Sequence, residues 1–208
     1  NMQMLGQFGT HGAAYIDMLL VHFPIIVKPE CRFNRSAPTC KESFATYASK
    51  ELLQETWRAM EDLKSFGVVK AIGVSDYNIT QLQQTLETAK EPIEMNQVEW
   101  NPMSHDDELL AFCESKGTML QAWSPLGGAQ GSVLSHPSVT GIAKAHNVSA
   151  AQVTLRWALQ RGVAVVVGTS SAQHARGDLD IFGFRLSGAE VDTISAMRAP
   201  HALEAVHV

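Results

Sequence analysis

Three observations predict an α/β fold of parallel strands for this sequence. Short apolar or alternating runs recur along it, segments of helical period lie between them, and the helix starts carry capping signals. The runs cover Tyr15 to His22, Val68 to Val74, Ile93 to Glu99, Thr118 to Trp123 and Val163 to Val167. Several are rich in Val and Ile, as strands buried in a parallel sheet tend to be. Strands alternating with helices imply βαβ units.

The elements follow in order. After the first strand, residues 24–49 carry Pro29, Pro38 and mixed charge. They read as an elaborated loop at that strand's C-terminal end. Glu51 to Phe66 then places Leu52, Leu53, Trp57, Met60 and Leu63 on one helical side, with Gly67 as the C-terminal cap. Four further helix starts are marked by Thr80 with Gln83, Ser104 with Asp107, Ser149 with Gln152, and Ser187 with Glu190. Each pair fits a capping box or its acidic variant, which satisfies amides left unpaired in the first turn. Gly117 and Gly162 close two helices just before the next strand. We count five βα units in a single domain over residues 1–208.

Composition narrows the function. Hydrophobic residues are 45% and charged residues 18%, a globular balance. Sixteen basic against 21 acidic residues give a net charge of -5, so nucleic acid is not an expected partner. The longest apolar run, Val163 to Val167, is far short of the ~20 residues of a transmembrane segment. The chain is expected to be soluble, in the cytoplasm or an organelle interior. It opens Asn1-Met2-Gln3-Met4 without a recognisable signal peptide, so processing or further chain upstream is expected. Cys31, Cys40 and Cys113 lack zinc spacing. Cys31 and Cys40 could pair under oxidising conditions, although nearby free thiols are the commoner case in a reducing compartment. No metal is expected: His105, Asp106 and Asp107 start a helix, where acids suit the dipole.

Two architectures remain, a (β/α)₈ barrel and a doubly wound sheet. Gly127, Gly128 and Gly131 lack the Gly-x-Gly-x-x-Gly spacing of the common dinucleotide version of the sheet. The last two strands run into Ser124-Pro125-Leu126-Gly127-Gly128 and Gly168-Thr169-Ser170-Ser171. Small-residue loops in those places hold phosphate in barrels. His22, Ser75, Asp76, Asn96, Gln97 and Ser124 also gather at strand C-termini, the face where barrel enzymes place their sites.

These stretches together resemble the aldo-keto reductase family. The likeness runs from Tyr15 to about Ile194, through Tyr15 to Pro24, Trp57 to Leu63, Ala71 to Asn78, Asn96 to Pro102, Ala122 to Gly127 and Asp180 to Phe184. The resemblance implies a barrel that binds NADP or NAD and transfers hydride to an aldehyde or ketone. Carried over, His22 orients the carbonyl oxygen, and Ser75 and Gln97 hold the carboxamide of the nicotinamide. Trp123 takes the place of the aromatic that stacks on the nicotinamide ring. Ser124 and Leu126 match pyrophosphate contacts. Gly168, Thr169, Ser170 and Ser171 match the region around the adenosine phosphate.

Departures from the family pattern are specific. The family's catalytic Asp and Tyr follow its second strand, and its Lys lies in the third. This sequence begins in what resembles the helix before the fourth. The expected fold is therefore an incomplete (β/α)₈ barrel of strands 4–8, with His22 alone of the four catalytic residues. The family's Ser-Asn pair is Ser75-Asp76, and a carboxylate cannot donate the hydrogen bond that an amide can. Thr169 replaces a basic residue near the 2′-phosphate, leaving Arg176 and His174 as local candidates. Gly177-Asp178 replaces a Glu-Asn pair near adenine. Tyr47 could replace the lost acid but reads better as a loop Tyr packed on the barrel rim. Tyr77 reads as packing, and Tyr15 leads into a buried strand.

Two functions follow. In the first, the chain is a non-catalytic structural or regulatory subunit, and a protein partner or missing N-terminal segment covers its open barrel edge. In the second, it is an active NADPH-dependent carbonyl reductase whose first strands lie outside the given sequence.

Overall fold

The computed structural model describes residues 15–28, 31, 45–128 and 132–197. Most of the 24–49 insertion, including Cys40, lies outside them. The contacts divide the chain into two compact units, one up to Asn96 and one from Gln97.

In the first unit, β1 (Ile16–Val21) pairs in parallel with β4 (Val69–Ser75), in register from Ile16↔Val69 to Val21↔Val74. The described flanks of the insertion form an antiparallel hairpin, β2 (Ile25–Val27) with β3 (Ala45–Tyr47). Helix α1 (Lys50–Ser65) buries Leu53, Trp57, Met60 and Glu61. Leu63, assigned above to the same face, is exposed. The buried Glu61 carboxylate accepts from the Lys90 and Glu91 amides at 2.6 and 3.0 Å, which compensates its loss of water. The helix ends at Phe66, and Gly67 takes the left-handed φ of 72° expected of it.

Gly73 sets the spacing inside β4. A Cβ there would stand 2.5 Å from the Met95 carbonyl and 2.7 Å from Leu20 Cδ2. Helix α2 (Ile79–Leu86) starts earlier than expected, because Asn78, not Thr80, is its cap. Asn78 and Gln81 form the reciprocal box. Strand β5 (Met95–Glu99) crosses the junction between units, and in the first unit Glu94 N donates to Ile72 O.

In the second unit, Trp100 N donates to Trp123 O at the end of β6 (Met119–Trp123). β6 pairs in parallel with β7 (Ala164–Val165), shorter than the apolar run at Val163 to Val167. The helices are α3 (Asp107–Lys116), α4 (Ser132–Ser135), α5 (Pro137–His146), α6 (Ala150–Gln160), α7 (Ala172–Leu179) and α8 (Gly188–Ser195). Asp106 caps α3 in place of Ser104, accepting from the Glu108 and Leu109 amides. Gly117 and Gly162 have left-handed φ values of 70° and 79°, as their helix-closing positions require. Ser149 with Gln152 and Ser187 with Glu190 form the expected boxes. The core carries Leu109, Cys113, Val153, Leu155 and Trp157, all buried.

Glu190 supports a pH prediction. The Ser187 backbone N–H, then its hydroxyl and His146, hold the carboxyl below its usual 4.5. A depressed folded pKa adds stability above the unfolded value, and that stability is lost as pH falls through the folded one. Glu190→Gln should therefore cost stability at neutral pH, and the deficit should shrink as pH drops below about 4.3. Urea midpoints of the two proteins across that range provide the measurement.

No helix among the described residues is long and apolar enough to cross a membrane.

Candidate functional site

The first unit contributes a polar strand end. His22 follows β1 directly, is exposed, and stacks at a tilt on Phe23 with ring centroids 4.2 Å apart. The register Val21↔Val74 makes His22 and Ser75 neighbours at the strand C-termini. Ser75 is buried and Asp76 exposed. Asp76 sits at φ 54°, a left-handed conformation that Asp tolerates better than most residues. Asn96 holds the turn that follows: its Nδ2 donates to Tyr77 O at 2.8 Å, and its Oδ1 accepts from Tyr77 N at 3.4 Å. Burial pushes the Tyr77 phenol up to about 12, so this tyrosine packs and is a poor proton donor.

In the second unit, Gln97 Nε2 donates to Gln121 Oε1. Trp123 ends β6 and is half-buried. Ser124 then adopts φ 49°, and Gly127 N closes a turn on Ser124 O at 3.0 Å. Gly127 and Gly128 are both left-handed, at 87° and 57°. Gly168, Thr169 and Ser170 are exposed between β7 and α7. Thr169 Oγ1 accepts from Ser171 N, and Ser171 Oγ accepts from His174 N, so two hydroxyls organise the start of α7.

These loops border a cleft of about 530 Å³. Its lining brings together Leu126, Gly168 and Thr169 among the residues expected from the sequence, with Gly177 and Asp178. Ser124, Ser170 and Arg176 are not in the lining. The opposite wall, Leu134 and Ser149 to Gln152, was missed. The Ser149–Gln152 box was visible as a cap, but a cap does not say what the first turn faces. Gln152 Nε2 also donates to Asp180 O at 2.6 Å, tying the start of α6 to the end of α7.

Parallel strands alternating with helices, with polar residues and small-residue loops after them, define an α/β protein of the parallel-strand class. The chain belongs to the Aldo/keto reductase family, whose sequence profile matches residues 7–199. It is 35% identical over 183 residues to the glyoxal reductase of Bacillus subtilis, covering 88% of this chain and 57% of that protein. It is also 35% identical over 190 residues to the (1S)-1,7-diacetoxy-luvungin A aldo-keto reductase of Citrus sinensis, covering 89% and 57%. An aldo-keto reductase of Bombyx mori, solved in complex with NADP, superposes with a TM-score of 0.78 at 29% identity, covering 95% of this chain and 61% of that one. The chain thus spans a little over half the length of these curated relatives.

Proposed function

We propose that this chain is the dinucleotide-holding part of an NAD(P)H-dependent reductase of aldehydes or ketones. The observation that supports this reading is the cleft beside Leu126, Gly168 and Thr169. Its volume suits a nucleotide portion. Its apolar wall (Leu126, Leu134, Ala150, Ala151, Val167) offers a face to a base, and Thr169, Gln173 and Asp178 offer polar groups to ribose hydroxyls. A Cβ at Gly168 or Gly177 would meet nothing within 4 Å, which leaves open space for a ligand there.

A bound nicotinamide dinucleotide would supply the hydride. Trp123, Ser124 and Gln97 would bind its nicotinamide and pyrophosphate portions, with Ser75 assigned to the carboxamide as well. Asp76 stands where an amide would donate, and as a carboxylate it can only accept. His22 would donate a hydrogen bond to the substrate's carbonyl oxygen, stabilising the charge that grows there.

The general acid is the weak point, and it supports a second reading. Among the described residues, no tyrosine with a lysine beside it stands at the C-terminal end of a parallel strand. Tyr77 is buried, and Tyr15 meets Lys70 at the opposite end of β1. Tyr47 lies in the hairpin, where neighbouring Lys50 pairs with Glu87. The second reading makes the chain a non-catalytic structural or regulatory subunit. In either case a protein partner or further segment would lie along β1, which the described residues pair with β4 alone.

Calorimetric titration with NADH and NADPH, followed by an assay with a panel of aldehydes, tests both readings. Saturable binding with turnover supports the reductase, and its loss in His22→Ala supports the role of His22. Binding without turnover supports the subunit. Absence of binding by either dinucleotide would overturn the dinucleotide-holding role.

A further inference from the structure

The charge of the cleft is distinctive. Its lining, described throughout, contains one carboxylate, Asp178, and neither Lys nor Arg. Asp178 lies in the last turn of α7, where the helix dipole offers a carboxylate no support. Among the described residues no Lys or Arg forms an ion pair with it. Arg176, the cation closest in sequence, is exposed and outside the lining. Thr169, also in the lining, offers a hydroxyl already accepting from Ser171 N.

A ribose diol and a ribose 2′-phosphate ask opposite things of such a wall. The diol donates hydrogen bonds, which a carboxylate accepts. The phosphate needs cationic donors and is repelled by a carboxylate. The same division separates NAD from NADP sites in other dinucleotide folds, where an acid holds the 2′-hydroxyl and an Arg the 2′-phosphate.

We infer that this cleft selects a dinucleotide with an unphosphorylated adenosine ribose, NADH over NADPH, and that Asp178 is the selecting residue. The inference rests on the dinucleotide-holding role proposed above. Asp178 accepts from the ribose hydroxyl, and Thr169 leaves the rim without the positive charge that would reward a phosphate.

The test is calorimetric titration of the full chain with NADH, NADPH, ADP-ribose and adenosine 2′,5′-bisphosphate. NADH should bind about tenfold or more tightly than NADPH, and ADP-ribose should likewise exceed the bisphosphate. Asp178→Asn should narrow the ratio. Thr169→Lys, which puts a cation on the rim, should raise NADPH affinity relative to NADH and so narrow or invert the ratio. NADPH binding as tightly as NADH in the unaltered chain would overturn the inference while leaving the dinucleotide-holding role intact. If none of the four ligands binds, that role fails and the inference fails with it.

Discussion

Replacing Trp157 with alanine is expected to lower the unfolding free energy by about 3–5 kcal/mol. The side chain is fully buried. Its ring lies 6.3 Å from that of Trp100 and meets His105 edge-on at 5.3 Å. Its Nε1 donates to Ser195 Oγ at 2.9 Å, which joins α6 to α8. Arg161 donates to the same oxygen at 3.0 Å and also pairs with Asp107 at 2.8 Å. Truncation removes the ring from the centre of this cluster and leaves a large cavity. Trp157→Phe keeps much of the ring volume, and Ser195 keeps its bond from Arg161. That variant should cost distinctly less, and urea unfolding of the two in parallel separates packing from hydrogen bonding. Equal losses would show that the indole N–H, not the ring, is the larger contribution.

The second large effect concerns the turn after β6. Gly127→Ala should reduce dinucleotide affinity on the order of tenfold or more, because a small displacement of a binding loop is expensive. Gly127 has φ 87°, and an added Cβ would stand 2.6 Å from Val133 Cγ2. Val133 is buried and has little room to withdraw. Relief must come from the turn that carries Ser124 and Leu126. Gly128→Ala is the matched control: its φ is also left-handed, but its Cβ would meet Ser124 Oγ at an ordinary 3.6 Å. Calorimetry should find it much milder. If both variants bind alike, the Val133 contact does not position the turn.

Much of this organisation was legible in the residues. All five expected strands exist, since Val- and Ile-rich runs bounded by caps leave few alternatives. The errors were local. Asn78–Gln81 and Thr80–Gln83 are overlapping capping boxes of equal merit by sequence. Asn96 decides between them by holding Tyr77 at both backbone groups, so the helix begins just beyond the clamp. Asp106 displaced Ser104 in a similar way: Ser104 exchanges backbone hydrogen bonds with Asn101 and belongs to the preceding turn. The last strand was overestimated: β7 ends at Val165, and Val166 beyond it still donates to Ala122 O but is exposed, so an apolar run did not mark a buried strand there.

The site was less legible. Gly168 and Thr169 could be placed from loop composition, and their partners across the cleft could not. Leu134 and Ala150 are ordinary helix residues, and only the packing of α4, α6 and α7 brings them to one wall. Arg176 illustrates the converse: it was a reasonable cation by position, and its place on α7 leaves it exposed.

The four tryptophans give the protein two kinds of optical reporter. Trp57, Trp100 and Trp157 are at most 2% exposed, whereas Trp123 is half-buried at a strand end. Emission from the three buried indoles should follow the loss of the cores, with Trp57 reporting on the first unit and the other two on the second. Under the dinucleotide-holding role proposed above, Trp123 would be the indole that senses an arriving ligand. Quenching by a small soluble quencher should therefore resolve a minor accessible fraction, assignable to the end of β6 without any added label.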